Sequence, residues 1–258
     1  MKNESINSQN PYVKKSYAWY MVLLMTMAYM FSFIDRYILG LLIDPIKADL
    51  GLSDTQMGLL LGPAFAIFYA TMGLPLGYLA DRVKRVSIVS IGIFIWSLAT
   101  VASGFAQKFS HLFLARMTVG IGEATLSPCA LSMITDSFPE KNRGKPIGFY
   151  TMGMSFGPAI AYLSGAAVLI WSQSIDSIQI PLIGDIAPWQ LAFILVGFPG
   201  ILLAIFVYFL KEPPRKIDPN LENEEKPTIV EALKYFYSKA SAMCSFILPA
   251  CVMTVIAY

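Results

Sequence analysis

The chain has 258 residues, 56% of them hydrophobic and 14% charged, with a mean hydropathy of +0.59; that balance lies outside the range of soluble domains and marks an integral membrane protein. The formal net charge of +2 comes with no basic face carrying interleaved aromatics, which excludes nucleic-acid binding. Cys129, Cys244 and Cys251 fall in apolar segments without the paired spacing of a disulfide framework or a zinc site, so neither a metal nor a cofactor is expected. Residues 1–16 form a polar tail with Lys2, Lys14 and Lys15, and the apolar run after them is too long for a signal-peptide core and lacks a small-residue cleavage site.

Apolar runs long enough to cross a hydrocarbon layer of about 30 Å follow at 17–43, 56–80, 86–106, 112–135, 146–171 and 189–210. Residues 17–210 therefore read as an all-α bundle of six transmembrane helices. At the start of the second crossing, Ser53-Asp54-Thr55-Gln56 has the spacing of a capping box. Residues 211–240 read as a linker that opens with Glu212-Pro213-Pro214-Arg215. Within it, Ile229, Leu233, Phe236 and Tyr237 share one face of an amphipathic interfacial helix. A seventh apolar stretch, 241–258, reads as the truncated start of a second domain.

Basic residues alternate along this order. The tail, the second connection (Arg82, Lys84, Arg85), the fourth (Lys141, Arg143, Lys145) and the linker are rich in them. The first and third connections hold one each, Lys47 and Lys108, and the fifth holds none. By the positive-inside rule the N-terminus is cytoplasmic in a multi-pass cell-membrane protein.

Four ionisable groups fall where lipid would make them expensive, at about 3 kcal/mol each on insertion scales. Asp35 and Arg36 interrupt the first crossing in FIDR, and the fourth carries Arg116 and Glu123 in LARMTVGIGEA. Adjacent helical residues diverge by about 100°, so Asp35 and Arg36 cannot simply neutralise each other. Arg116 and Glu123, seven apart, share a face with Gly120 between them. Counted at 1.5 Å per residue from the outer ends of their crossings, Asp35 lies about 13 Å deep, between Arg116 at about 8 Å and Glu123 at about 18 Å. The expectation is one buried cluster of Asp35, Arg116 and Glu123, with Arg36 on a neighbouring face of the same cavity. Two acids around one Arg leave a carboxylate in excess, suited to taking up and releasing a proton. The alternative is a static ion network that locks helices together, which the poor net stability of buried pairs disfavours.

At the inner end of the second crossing the chain reads GLPLGYLADRVKRVS. This resembles the signature loop of the major facilitator superfamily in Gly77, Asp81, Arg82 and Arg85, with Lys84 where many members have Gly. The resemblance implies a gating role: Gly77 would admit a neighbouring helix and Asp81 would pair across the cytoplasmic seam, a solvated turn of charges being the alternative. GMSFGPAIAYLSG in the fifth crossing is similar to a second superfamily signature in Gly153, Gly157 and Pro158, joined by Gly165. A further Gly pair of that signature is replaced by Ala161 and Tyr162. Pro158 is expected to perturb the helix, and the small-residue face implies packing and rocking.

Within the superfamily the chain resembles the spinster-like branch through FIDR, KADLGLSDTQMGLL, FAIFYATMGLPLGYLADR, RMTVGIGEA and SPCALSMITDSFPEKNRG, which together span most of 17–215. The resemblance implies the N-terminal six-helix half of a secondary active transporter working by alternating access. Its substrate site would lie at the midplane against a second half, and the two three-helix repeats would show weak inverted symmetry. It also implies that Asp35, Arg116 and Glu123 are coupling and cavity residues; the reading built on it is proton coupling through Asp35 and Glu123, with Arg36 and Arg116 attracting the anionic head of an amphipathic or lysolipid-like molecule and Tyr29, Met30 and Tyr37 accepting its tail, plain helix packing being the alternative for those three. The partners are then a small-molecule substrate, protons, the lipid bilayer and the second half. A symporter of small organic anions and a non-transporting receptor or scaffold are the competing readings. Enzyme chemistry has no support, since His111, the lone histidine, has neither a nucleophile nor a metal partner in its segment.

Overall fold

The computed structural model describes residues 14–172, 178–180 and 184–215, together with residues 231 and 238. Contacts divide the chain into Met1–Arg215 and Lys216–Tyr258, and every element named below belongs to the first unit. The amphipathic helix expected at 229–237 and the apolar stretch 241–258 fall almost wholly outside the described residues.

The crossings are α-helical, but most are built from more than one helix. The first is α1 (Lys15–Leu41), which passes through Leu42 into the short α2 (Ile43–Leu50). The second is α3 (Asp54–Leu61) and α4 (Pro63–Ala80), parted at Gly62, because a residue that precedes proline is pushed out of the helical region. The third is α5 (Arg85–Ser103). The fourth is α6 (Phe109–Glu123) and α7 (Leu126–Ser137), and the fifth is α8 (Gly144–Thr151) and α9 (Gly153–Ser172). The sixth is α10 (Pro188–Tyr208). Five of these segments, Lys15–Leu41, Asp54–Ala80, Arg85–Ser103, Phe109–Ser137 and Pro188–Tyr208, are long and apolar enough to cross a membrane. The 20 residues of α9 measure about 30 Å at 1.5 Å per residue, which gives the fifth crossing the same reach.

Local chemistry accounts for several of the boundaries. Ser53 Oγ accepts from the Gln56 N–H at 3.2 Å while Gln56 Oε1 accepts from the Ser53 N–H at 2.9 Å, so the expected capping box opens α3. At α10, Gln190 Oε1 accepts the Ala187 N–H at 2.9 Å and Pro188 occupies the first turn, where its missing N–H costs nothing. Helix α9 runs unbroken through Pro158; the interruption falls at Met152, upstream of it, which corrects the expectation that Pro158 is the point of perturbation. A feature the helix-only reading did not contain is a short antiparallel hairpin, β1 (Ile178–Ile180) with β2 (Gly184–Ile186), in the connection before α10.

Helix α5 lies against α6 and α10, α1 against α9, and α4 against α6. The glycine face of α9 is a close-packing device: a Cβ on Gly157 would stand 2.5 Å from Phe33 Cβ, and one on Gly165 would stand 2.6 Å from Leu41 Cδ1. Buried apolar side chains form two clusters. One is built on Ala18 to Ala28 of α1 with Trp96, Cys129 and Met133; the other is built on Ile38 to Ile46 with Leu60, Trp189 and Phe193. Between them along α1 lie Ser32, Asp35 and Arg36, so the polar side chains occupy the gap that separates the two apolar cores.

Candidate functional site

The four sequence-selected charges converge, but with a different pairing from the one expected. Glu123, whose side chain is fully buried, accepts three hydrogen bonds on Oε2: Arg36 Nη2 at 2.6 Å, Arg36 Nε at 2.8 Å and Ser32 Oγ at 2.6 Å. Arg36, not Arg116, is therefore the salt-bridge partner of Glu123. Its guanidinium spans the divergence between adjacent helical positions because the side chain is long and presents a planar fork of donors. Phe33, Phe65 and Tyr69 surround that guanidinium, with ring centroids 5.1, 4.6 and 5.0 Å from its Cζ. Gly120 makes this possible, since a Cβ there would stand 2.6 Å from the Phe65 carbonyl oxygen and hold α4 away from α6. The Arg36 side chain keeps 26% of its exposure, so this buried network has one cation that reaches open space.

Asp35 and Arg116 are buried behind that pair. Arg116 Nη1 donates to the Asp35 backbone carbonyl at 3.1 Å, and no ion pair joins Arg116 to a carboxylate among the described residues. The Asp35 carboxylate receives one hydrogen bond, from Thr100 Oγ1 to Oδ2 at 3.1 Å. Asp35 Oδ1, Glu123 Oε1, Arg116 Nε and Trp96 Nε1 are buried without a partner among the described residues. The expected excess of one carboxylate is corrected too: with Arg36 included, two acids face two guanidiniums. Asp35 is instead distinguished by lacking a direct cation partner among the described residues.

Thr100 and Ser32 escaped the sequence reading because hydroxyls in apolar helices usually bond their own backbone. Thr100 does so as well, with the Trp96 carbonyl 3.0 Å from Oγ1. Its single proton thus has two acceptors, one of them the Asp35 carboxylate. Thr100→Val, which keeps the shape and removes the hydroxyl, is expected to remove a hydrogen bond to a charged group, about 1.5–3 kcal/mol. Thr100→Val should lower the unfolding midpoint and Thr100→Ser should restore it; equal midpoints for the two variants would exclude a role for the hydroxyl.

The loop motif is organised from within the chain. Arg85, 2% exposed, donates to Asp136 Oδ2 at 2.5 Å, Ser132 Oγ at 2.7 Å, Glu212 Oε1 at 2.7 Å and the Pro213 carbonyl at 2.9 Å. Glu212 in turn accepts the backbone N–H groups of Arg85 and Val86 at the start of α5. Arg215 donates to the carbonyls of Ala80, Asp81 and Val83, completing the end of α4. Arg82 lies over the Tyr78 ring at 4.3 Å. A Cβ on Gly77 would meet nothing within 4 Å, so the close helix approach expected there is not made by the described residues. Asp136, Glu212 and Arg215 were missed, although Glu212-Pro213-Pro214-Arg215 was visible as a motif, because nothing in it names a partner more than a hundred positions away. Arg85→Ala leaves two carboxylates facing an empty site and is expected to destabilise the protein by on the order of 3 kcal/mol, read as a lowered unfolding midpoint. An unchanged midpoint would show the network to be ornamental.

Residues 25–258 match the Major Facilitator Superfamily. The chain belongs to that superfamily. Among its relatives, the probable L-galactonate transporter of Escherichia coli (strain K12) is 34% identical over 73% of this chain and 38% of its own length. Protein spinster homolog 1 of Xenopus tropicalis is 32% identical over 78% of this chain and 37% of its own length. The crystal structure of a bacterial homolog to the human lysosomal transporter Spinster, inward-facing and unoccupied, superposes with a TM-score of 0.73 at 38% identity. That match covers 89% of this chain and 50% of the other. This superfamily chain therefore spans half or less of the length of these relatives, and it is a multi-pass membrane protein similar to the spinster-like branch. Of these relatives, the Escherichia coli protein is named as a probable transporter and the bacterial one as a homolog of a transporter.

Proposed function

We propose that the full-length protein containing this chain is a proton-coupled secondary transporter of a small organic anion, working by alternating access across a cell membrane with its N-terminus cytoplasmic. The observation that carries the reading is the Arg36–Glu123 pair: a partly exposed guanidinium held by a fully buried carboxylate at 2.6 Å. An acidic head group that reaches Arg36 competes with Glu123 for the same donors. Protonation of Glu123 removes that competition, so proton and anion favour each other's binding, and linkage makes the effect reciprocal. Asp35, buried and without a direct cation partner, is the second proton carrier, and Arg116 is the charge that both carboxylates sense. The gating loop at Gly77, Asp81, Arg82 and Arg85, and the rocking face at Gly153, Gly157 and Pro158, would transmit the state of the site to a second six-helix half.

The leading substrate class is an amphipathic anion. Tyr29 stacks on Tyr150 at 4.7 Å, and Phe33, Tyr37 and Tyr162 continue an aromatic wall beside Arg36, against which an apolar body would lie. A sugar acid is the second reading, favoured by the likeness to the galactonate transporter. Reconstitution of the full-length protein in liposomes, with imposed pH gradients and labelled lysophospholipids or aldonic and uronic acids, separates the two. Accumulation of either class under an acid-outside gradient supports the proposal and chooses the substrate. No flux of any acid under any gradient would leave the receptor or scaffold reading standing.

A further inference from the structure

Helix α5 brings a hydroxyl to the Asp35 carboxylate: Thr100 Oγ1 stands 3.1 Å from Asp35 Oδ2 and 3.0 Å from the carbonyl of Trp96, one turn back. Thr100, Asp35 and Trp96 are all buried, at 2%, 3% and 0% exposure, so bulk water does not compete for these contacts. The Trp96 turn is pressed onto α6, where a Cβ on Gly122 would stand 2.9 Å from Trp96 Cβ and 3.0 Å from its backbone nitrogen. Close packing of that kind keeps both acceptors in place around Oγ1.

A threonine hydroxyl has one proton to donate and two lone pairs that accept. With Asp35 ionised, the proton is best placed on Oδ2, because a hydrogen bond to a charged acceptor is about twice as strong as a neutral one. With Asp35 neutral, the carboxyl O–H needs an acceptor, and its two oxygens are not equivalent. Oδ1 is buried without a partner among the described residues, so a proton there would be an unmet buried donor. A proton on Oδ2 faces Thr100 Oγ1 instead. Oγ1 accepts it only by turning its own proton away, and the Trp96 carbonyl is the acceptor to which it turns. The change is a rotation about the Cβ–Oγ1 bond, in which no heavy atom moves and no covalent bond of Thr100 is made or broken.

We propose, resting on the reading of Asp35 as a proton carrier, that Thr100 is the positioning residue for its proton. The hydroxyl donates to Oδ2 of the carboxylate; when the acid is neutral it accepts from Oδ2–H and donates to the Trp96 carbonyl. Oδ2 is thereby the oxygen that bears the proton, and one side chain satisfies it in both states. The charged groups around Asp35 are Arg36 of α1 with Arg116 and Glu123 of α6. Helices α4, α9 and α10 carry none, and the one charge of α5, Arg85, is held by Asp136 and Glu212 fifteen positions from Thr100. Among the described residues the only hydrogen bond to Oδ2 is that of Thr100, so its hydroxyl is the group that follows protonation there.

The test is solid-state NMR of the full-length protein in liposomes, with tryptophan labelled at the carbonyl carbon and aspartate at the carboxyl carbon, recorded from acid to alkaline pH. Trp96→Phe and Asp35→Asn assign the two resonances by their loss. The Asp35 signal should titrate, and the Trp96 carbonyl signal should move at the same midpoint as its oxygen gains a second hydrogen bond on the acid side. Thr100→Val should hold the Trp96 signal fixed and raise the Asp35 midpoint by about one pH unit, roughly tenfold in proton affinity, because the ionised form loses the stronger bond. Thr100→Ser should restore both behaviours, whereas a purely structural Thr100 would not tie the Trp96 carbonyl to the Asp35 titration. In the unmodified protein, a Trp96 signal that stays fixed while Asp35 titrates would overturn the assignment of Thr100 and leave proton carriage by Asp35 standing. So would a Trp96 response or an Asp35 midpoint that Thr100→Val leaves unchanged. An Asp35 signal that titrates at no pH would overturn both.

Discussion

Arg36→Ala in the full-length protein is expected to abolish uptake and to destabilise the fold. The variant removes two of the three donors to Glu123 Oε2 and leaves a fully buried carboxylate with Ser32 alone. Breaking a buried ion pair from one side costs about 3–5 kcal/mol, most of it the penalty of the charge left behind. Arg36→Lys keeps the charge but loses the fork that engages Glu123 through Nε and Nη2, so it should fall between the two. The double variant Arg36→Ala with Glu123→Gln separates stability from recognition. Removing the orphaned charge should restore most of the unfolding midpoint, while uptake stays absent because nothing remains to hold the anion. Substantial uptake by Arg36→Ala would exclude the guanidinium as the anion's anchor, whatever happened to stability.

Asp35→Asn is expected to uncouple transport and spare the fold. Asparagine keeps the volume and can still accept the Thr100 hydroxyl, and since Asp35 has no direct cation partner among the described residues, none of their buried guanidiniums is orphaned by the change. The unfolding midpoint should therefore stay near that of the unmodified protein. Accumulation against a concentration gradient should disappear, because the carrier of one proton is gone, while exchange of labelled for unlabelled substrate continues. The pair of assays matters: loss of both would mean that Asp35 shapes the site rather than carrying a proton. Retained accumulation would remove it from the coupling mechanism.

The contrast between the two acids was only half visible in the chain. That Asp35 would fall between Arg116 and Glu123 in height followed from the rise of a helix, and the structure brings these three and Arg36 together. Which guanidinium holds Glu123 did not follow. Spacing on a helix gives the direction of a Cα–Cβ bond, whereas an Arg side chain reaches well beyond it and goes where its donors are best satisfied. The same limit hid the Arg85 network. Asp136 and Glu212 are 51 and 127 positions from Arg85, and each looked like an ordinary loop charge. Gly77 is a different case: the close contact that its motif implied is not made by the described residues.

Several features that depend on neighbours along the chain were readable in advance. Apolar run length set the crossings, the Ser53–Gln56 spacing set a cap, and the small residues of α9 marked a packing face. These are short-range consequences of helix geometry and of the cost of placing polar groups in lipid. The cation that holds Glu123 and the hydroxyl on Asp35 came only from the assembled bundle. Each is decided by side chains from separate helices competing for the same few buried donors and acceptors, and that competition exists only once the helices are packed.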